Sequence, residues 1–404
     1  MKIWYISKYA CPKKYNFGTR HFLFANEFNE LGHETIVFTS NSNHLVHDLP
    51  QFKGLFKEEM IDGVKTIWIN TPRYSKSKSL RRIWSWIIFE LRLLRTAWLL
   101  GMRPDVIIAS SLSLLTVVSG FLMKKIYKAK LVFEVRDIWP LTLKYISNVS
   151  PFHPLYFIFS KIEKFGYRRS DLVVGSMPGL YKHVFDTINL SKDVLYIPHG
   201  VDMSKVEIEE PNFLEYGVTC NNDDFIITYS GTVGTVNAID YFIIAAKKIS
   251  TINKKIIFLI IGDGELKSKY EQDCNNFNRI YFLPKMKKSL MLGFLKKSDV
   301  LYYGALKNDL YNFGISPNKL NDYLFAAKPI LASYSGYDDL FEPIGCGLVV
   351  GAEDLTAIEN GMLLLYSMPK NHLETMGKLG YEYLIKFRTS RSLAKLYLNS
   401  IQNA

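Results

Sequence analysis

Asn308 to Pro329 reads NDLYNFGISPNKLNDYLFAAKP. Ser316 is placed to cap a helix, Pro317 is pre-set for its first position, and Asn318 and Lys319 follow in the first turn. Leu320, Tyr323, Leu324 and Ala327 then recur at helical spacing, and Pro329 closes the run. A helix that starts this way gathers unpaired backbone N–H groups at the positive end of its dipole, which suits a phosphate. Lys319 adds a cation there, and Asp322, about one turn further in, is in reach of a ribose hydroxyl. The same residues also describe a buried helix with an ordinary cap, and the stretch alone leaves both readings open.

On either side of this helix, strand and helix alternate. Before it run the strand DFIITYSG, the glycine-rich loop GTVGTVNA with Gly231 and Thr232, and the helix AIDYFIIAAKKI. The strand KKIIFLIIGDGE ends in Gly262-Asp263-Gly264, and RIYFLP and SDVLYYGA follow. After it come KPILAS, CGLVV and closing helices. The N-terminal half has the same logic. Lys2 to Ser7 is a buried strand, a loop runs to Gly18, a helix covers about Thr19 to Leu31, and GHETIVFTS is the next strand. This order opens a doubly wound α/β domain and puts the Gly18-Thr19-Arg20 turn at the carboxyl edge of the sheet. There Gly18 lets backbone approach a phosphate and Arg20 can pair with it, unless Gly18 only relieves a turn and Arg20 is solvated.

Residues 41 to 80 are less regular, with VKTIWIN as a strand. Residues 73 to 82 are basic through Arg73, Lys76, Lys78, Arg81 and Arg82, and a helix follows from about Leu80 to Leu100. Its wheel gathers Arg81, Ser85, Arg92, Arg95 and Thr96 on one side and Ile83, Ile87, Leu91, Leu94 and Trp98 on the other. With Trp84 and Trp86 this basic segment suits a membrane interface, and it equally suits an amphipathic helix packed on the sheet. Further on, the strand LVFEVRDIWP delivers Arg136 and Asp137 at its carboxyl end. Two opposite charges leaving a buried strand either serve an active site or form a structural ion pair. The pattern then turns polar and acidic from Gly200 to Pro211, as a linker between two domains does.

Composition narrows the function. The 404 residues are 48% hydrophobic and 14% aromatic, so large cores are expected and disorder is not. A net charge of +12 favours anionic partners such as nucleotide diphosphates, acidic lipid surfaces or nucleic acid. Cys11, Cys220, Cys274 and Cys346 lie far apart, which fits a reducing compartment rather than a disulfide framework or zinc site. The N-terminus lacks the pattern of a signal peptide, and Glu90, Arg92 and Arg95 interrupt the one apolar stretch of spanning length. Neither glycine loop is followed by GK[ST], and the strict GxGxxG, HExxH and Asp-x-Asp are absent. His44 and His47 have helical ligand spacing but no third partner, so they read as solvated loop residues.

The segments SPNKLNDYLFAAKP, IPHGVD, GDGE and GTRHFLFANEFNELGHE, by their order and spacing along nearly the whole chain, together resemble the family-4 retaining glycosyltransferases of the GT-B fold. The resemblance is to the bacterial branch that builds O-antigen and capsular polysaccharide. It implies two Rossmann-like doubly wound domains facing a central cleft, at about 1–203 on the acceptor side and 204–384 on the donor side. A C-terminal helix at about 385–404 is expected to pack back on the first domain. Gly18, Thr19 and Arg20 would approach the donor diphosphate from the first domain, and Gly231 and Thr232 from the second. Asp263 and the turn after Phe282 would lie near the base. Ser316, Pro317, Asn318 and Lys319 would hold the pyrophosphate, with Asp322 on the ribose. Arg136 and Asp137 fall where many relatives have a His-Asp pair beside the transferred sugar.

Departures from the family lie at Gly314 and Asp322, where two glutamates are common, and at Thr232 and Asn237, near the positions of an Arg and a Lys. Lys319 and Arg20 are the cations left to compensate. The implied reaction is a metal-free, retaining hexosyl transfer from a nucleoside-diphosphate sugar, a UDP-sugar, to a polyprenyl-diphosphate-linked or other glycan acceptor. It uses Arg136, Asp137 and Lys319 and needs no cofactor. Segment 73–98 would hold the enzyme on the cytoplasmic leaflet of the cell membrane, and no nucleic acid is expected. Two rivals share parts of this pattern: a non-hydrolysing UDP-sugar epimerase of the same fold, and a non-catalytic anion-binding or nucleic-acid-binding protein.

Overall fold

A computed structural model describes residues 1–15, 20–43, 46, 48–74, 79–147 and 149–404. The chain forms two compact units, Met1–Gly200 with Ser390–Ala404, and Val201–Thr389.

The first unit is built on β1 (Lys2–Ile6), β2 (Glu34–Ser40), β3 (Phe56–Ile61), β4 (Val64–Ile69), β5 (Val106–Ser111), β6 (Lys130–Val135), β7 (Leu172–Gly175) and β8 (Val194–Tyr196). They form one sheet in the order β3-β4-β2-β1-β5-β6-β7-β8. The order reverses between β1 and β5, as in a doubly wound sheet. Only β3 runs antiparallel, to β4. Asp62 and Gly63 make the two-residue hairpin between them, both at positive φ (49° and 77°), which is the Asp-Gly chemistry of such turns. This hairpin lies in the segment that the sequence pattern left irregular. The C-terminal helix Ser390–Asn403 buries Leu393, Ala394, Tyr397, Leu398 and Ile401, one face at helical spacing. Tyr397 packs edge-on against Phe24 and Phe28, and Lys130 Nζ donates to the last-turn carbonyls of Ile401 and Gln402.

The helix Leu80–Leu99 corrects the expected division of its faces. Its buried side is Ser85, Trp86, Phe89, Glu90, Leu93, Thr96 and Ala97. Glu90 is accommodated there because Thr116 Oγ1 donates to its Oε1 at 2.7 Å, and burial pushes its carboxyl up to about 7. Ser85 and Thr96 therefore face inward, while Leu80, Trp84, Ile87, Leu91 and Trp98 are exposed. No helix among the described residues is long and apolar enough to cross a membrane.

The second unit carries β9 (Phe225–Ser230), β10 (Ile256–Ile261), β11 (Ile280–Leu283), β12 (Val300–Gly304), β13 (Ile330–Ser333) and β14 (Gly347–Val350), all parallel, in the order β11-β10-β9-β12-β13-β14. Every residue of β10, IIFLII, is buried, as expected of a strand covered on both faces. Here the strand order reverses between β9 and β12.

Candidate active site

In an open α/β sheet, ligands bind outside the carboxyl ends of the strands where their order reverses. In the second unit this point lies between Ser230, which ends β9, and Gly304, which ends β12. Three chain segments meet around it.

The first two are glycine turns. Gly231 and Gly262 leave β9 and β10 at φ +148°. A Cβ on Gly262 would stand 1.9 Å from the Gly231 carbonyl oxygen, and one on Gly264 would stand 2.3 Å from that of Val233. The turns are thus packed backbone on backbone, joined by Gly231 N–H donating to Ile261 and Val233 N–H to Asp263. Lys267 Nζ donates to the carbonyls of Gly262 and Leu283, tying the ends of β10 and β11 together. Asp263 is exposed, and its Oδ1 accepts from Gly264 N–H at 2.8 Å. Thr232 is exposed as well, and its carbonyl accepts from the Tyr229 hydroxyl and from Asn237 Nδ2. Gly262→Ala is expected to weaken nucleotide binding at least about tenfold and to lower the unfolding temperature, because it adds a backbone clash at positive φ. Wild-type affinity in a nucleotide titration of that variant would show that the backbone contact is dispensable.

The third segment is the helix Asn318–Ala326. Its cap is Pro317, at φ −75° and ψ 142°, with no side-chain bond, so Ser316 lies one residue outside the cap it was expected to provide. Proline carries no side-chain acceptor, so the cap residue itself leaves the first-turn N–H groups without a side-chain bond from it. The Tyr323 hydroxyl accepts from Ser230 N–H at 2.9 Å and lies 3.0 Å from the Tyr302 carbonyl, to which it donates. One phenol thus fixes this helix to the carboxyl ends of both β9 and β12. Sequence reading took Tyr323 only for a core position.

Lys319 points into the same place. Its Nζ donates to Asn237 Oδ1 at 2.7 Å and sits 4.9 Å from the centre of the Tyr229 ring and 5.5 Å from that of Tyr303. A Cβ on Gly231 would lie 3.1 Å from it. Among the described residues no carboxylate pairs with it, and burial lowers its ammonium to about 8. Asn237 thus joins the glycine loop to the lysine. Asp322 has a partner the sequence did not reveal, Lys288, whose Nζ lies 2.7 Å from its Oδ1. Burial raises the Asp322 carboxyl, and Lys288 opposes that shift.

In the first unit, Gly18 and Thr19 lie outside the described residues, as do His44, His47, Lys76 and Lys78. Arg20 is not the phosphate ligand expected of it. It is 3% exposed, its Nε donates to Glu134 at 3.1 Å, and its Nη atoms donate to the carbonyls of Pro198 and Ile197. Its charge belongs to a core ion pair. Arg136 and Asp137 follow β6 at the sheet's carboxyl edge, the first half-buried and the second exposed. Their backbone is held by Ser111 Oγ, which accepts from Arg136 N–H, and by Ser176 Oγ, which donates to the Arg136 carbonyl. Neither side chain forms an ion pair among the described residues, and Arg136 Nε is buried with no hydrogen-bond partner there. Of the two readings of this pair, the structural ion pair is therefore absent.

Gly231, Thr232, Asp263, Pro317, Asn318 and Lys319 thus share one sheet edge, with Asp322 a turn deeper. Such an edge can hold a phosphate by backbone N–H groups, a helix dipole and one cation.

Residues 19–200 match the family described as Glycosyl transferase 4-like domain, and residues 224–368 match Glycosyl transferases group 1. No curated protein matches the sequence. Solved structures of similar fold include sucrose-phosphate synthase from Thermosynechococcus elongatus, at TM-score 0.70 and 14% identity over 100% of both chains. The E. coli trehalose-6-phosphate protein bound with UDP-2-fluoro glucose matches at TM-score 0.72 and 11% identity, over 100% of this chain and 99% of that one. Anabaena Alr3699/HepE in complex with UDP-glucose matches at TM-score 0.64 and 12% identity over 100% of both. The fold is GT-B, and the two domain matches make the chain a glycosyltransferase in which a 4-like domain precedes a group 1 domain.

Proposed function

We propose that this glycosyltransferase moves a hexosyl group from a UDP-sugar to a lipid-linked saccharide, with retention at the anomeric carbon and without a metal, in bacterial O-antigen or capsule assembly. The observation that carries the donor half is Lys319, held beside the Gly231 turn in the first turn of the helix that Pro317 caps, with no carboxylate paired to it among the described residues. In this reading the departing diphosphate lies on those groups, which supply the charge stabilisation a cation supplies elsewhere. The acceptor hydroxyl attacks from the face the diphosphate leaves, and the leaving phosphate takes its proton. The C1–O bond to the acceptor forms as the C1–O bond to UDP breaks, so no protein nucleophile is needed. Arg136 and Asp137 orient the sugar or the acceptor. Asp322 meets the ribose, sharing its carboxylate with Lys288. UDP-sugars bound to two of the similar folds support the choice of uridine.

The acceptor half rests on the helix Leu80–Leu99, whose outer face exposes Trp84 and Trp98 beside Arg81 and Arg95. Aromatic and cationic side chains on one outward face suit peripheral binding to an anionic leaflet, the cytoplasmic one in this reading. A thermal-shift panel of UDP, GDP, ADP and UDP-sugars, each with and without EDTA, tests the donor half. We expect the unfolding temperature to rise with uridine nucleotides and EDTA to leave the rise intact. Silence across the panel, or a rise abolished by EDTA, would overturn the metal-free donor reading. Turnover of the UDP-sugar with no acceptor present would favour an epimerase.

A further inference from the structure

The first unit holds a cavity of about 320 Å³ lined by Asn41, Ser42, Asn43, Arg73, Tyr74 and Arg81. Asn41 to Asn43 leave the carboxyl end of β2, and Arg73 and Tyr74 follow β4, its parallel neighbour. The cavity thus opens on the carboxyl edge of this sheet, and its size is at the lower end of ligand pockets.

Its floor is rigid and polar. Asn41, Ser42 and Asn43 are each at most 5% exposed. Asn41 Oδ1 accepts from Thr71 N–H at 2.8 Å, and the Ser42 carbonyl accepts from the buried Lys8 ammonium at 2.9 Å. Tyr74 is fixed through its hydroxyl to that of Tyr9, which also accepts from Trp86 Nε1. The mouth differs from the floor. Arg73 and Arg81 are exposed, and neither has an ion pair or side-chain hydrogen bond among the described residues. Among the described residues no acid lines the cavity. The whole unit is cationic, with 30 Lys and Arg against 15 Asp and Glu, whereas the second unit has 20 against 23.

Arg81 also marks where an apolar track begins. It sits in the first turn of Leu80–Leu99, which holds no acidic residue. Along that helix Leu80, Trp84, Ile87, Leu91 and Trp98 are all exposed, Leu80 by 83% and Trp98 by 75%. At about 100° per residue they fall within about 60° of arc, so they form one stripe starting beside the cavity mouth. A cationic cavity next to an apolar stripe fits a ligand with an anionic head and a hydrocarbon tail.

We infer that this cavity receives the diphosphate of a prenyl-diphosphate-linked acceptor, with Arg73 and Arg81 on the phosphate oxygens and Asn41 and Asn43 towards the first sugar. The hydrocarbon leaves along the Leu80–Trp98 stripe. This rests on the lipid-linked acceptor proposed above, and it assigns the head group to residues not used by the donor.

Farnesyl diphosphate is the probe, titrated into the full chain by calorimetry beside farnesol, inorganic pyrophosphate and phosphatidylglycerol vesicles. Farnesyl diphosphate is expected to bind at least about tenfold more tightly than farnesol or pyrophosphate, since head and tail are held together. Arg73→Ala/Arg81→Ala is expected to weaken it about tenfold or more while UDP affinity and unfolding temperature stay at wild type, and Arg73→Lys/Arg81→Lys to recover part of the loss. The inference fails if the double alanine variant binds the probe as wild type does, or if UDP displaces the probe, which would put it in the donor site. It also fails if the vesicles displace the probe as effectively as unlabelled farnesyl diphosphate, which would make the cavity a general lipid-phosphate site. UDP-sugar binding and turnover are read separately. Loss of those with the Arg-dependent probe binding intact would sink the transferase reading and keep the cavity.

Discussion

Replacing Lys319 by alanine is expected to lower kcat/KM for the sugar donor by about 10²–10³-fold, the loss seen when one preorganised charge donor is taken from a developing anion. The helix start and glycine turns remain in the variant, so residual turnover is expected rather than none. The wild-type rate should also depend on pH in a particular way. Burial holds the Lys319 ammonium at about 8, below its ordinary value. The protonated form is the one that binds a diphosphate, so kcat/KM should be level at neutral pH and fall as pH rises through about 8. Lys319→Arg should remove that alkaline limb, because a guanidinium stays charged throughout. The sign for stability is opposite. A lysine whose folded pKa is depressed disfavours the folded state while it is charged, so Lys319→Ala should unfold no earlier than wild type near pH 7, and slightly later if anything. Initial rates across pH 6–10 for the three proteins decide the matter. Turnover of the alanine variant within a few-fold of wild type would remove Lys319 from the leaving-group site.

Glu134→Ala should give the largest loss of stability. Glu134 and Arg20 are both almost wholly enclosed, and the Tyr5 hydroxyl donates to Glu134 as well. Without the carboxylate, the Arg20 guanidinium stays buried with only the Pro198 and Ile197 carbonyls, a situation that costs about 3–5 kcal/mol. For a unit of this size that corresponds to a fall of about 6–20 °C in its unfolding temperature. Glu134→Ala combined with Arg20→Met should recover much of it, since an apolar replacement of both partners is often neutral. The pair also sets an acid limit. Arg20 and the other positive charges around Glu134 overcome the opposing effect of burial and hold its carboxyl down at about 2, below its unfolded value. Its contribution is therefore full above the ordinary carboxylate range and is lost as pH falls towards 2. Calorimetry of the three proteins tests this, and a single alanine variant that melts with wild type would mean that Arg20 finds water.

What the sequence made legible was whatever depends on neighbours along the chain. Alternating strands and helices gave the two Rossmann-like halves, and the run from Pro317 to Pro329 gave the helix that carries Lys319. The hairpin at Asp62-Gly63 is not part of that reading: the pattern marks β4 but not β3, which carries the charged residues of an edge. The features that misled were non-local. Arg20 meets a carboxylate from β6, far along the chain, and nothing around Thr19 announces it. The wheel of residues 80–99 groups Ser85 and Thr96 with Arg81 and Arg95, which the structure leaves exposed, because it cannot say that Ser113 and Thr116 will receive Glu90 and turn that part of the helix inward. The start of the Lys319 helix was displaced by one residue. Tyr323 fixes its phase against Ser230 and Tyr302, which local preference for serine caps does not register.

The backbone contact between the Gly231 and Gly262 turns also bears on how such an enzyme changes its donor. Neither turn takes a side chain freely, because the Gly231 carbonyl fills the space a Cβ on Gly262 would need, and a Cβ on Gly231 would press on Lys319 and the Tyr229 hydroxyl. Drift or engineering towards a new nucleotide or sugar must therefore leave both glycines in place. It has to work through the outward side chains they carry, Thr232 and Asp263 first among them.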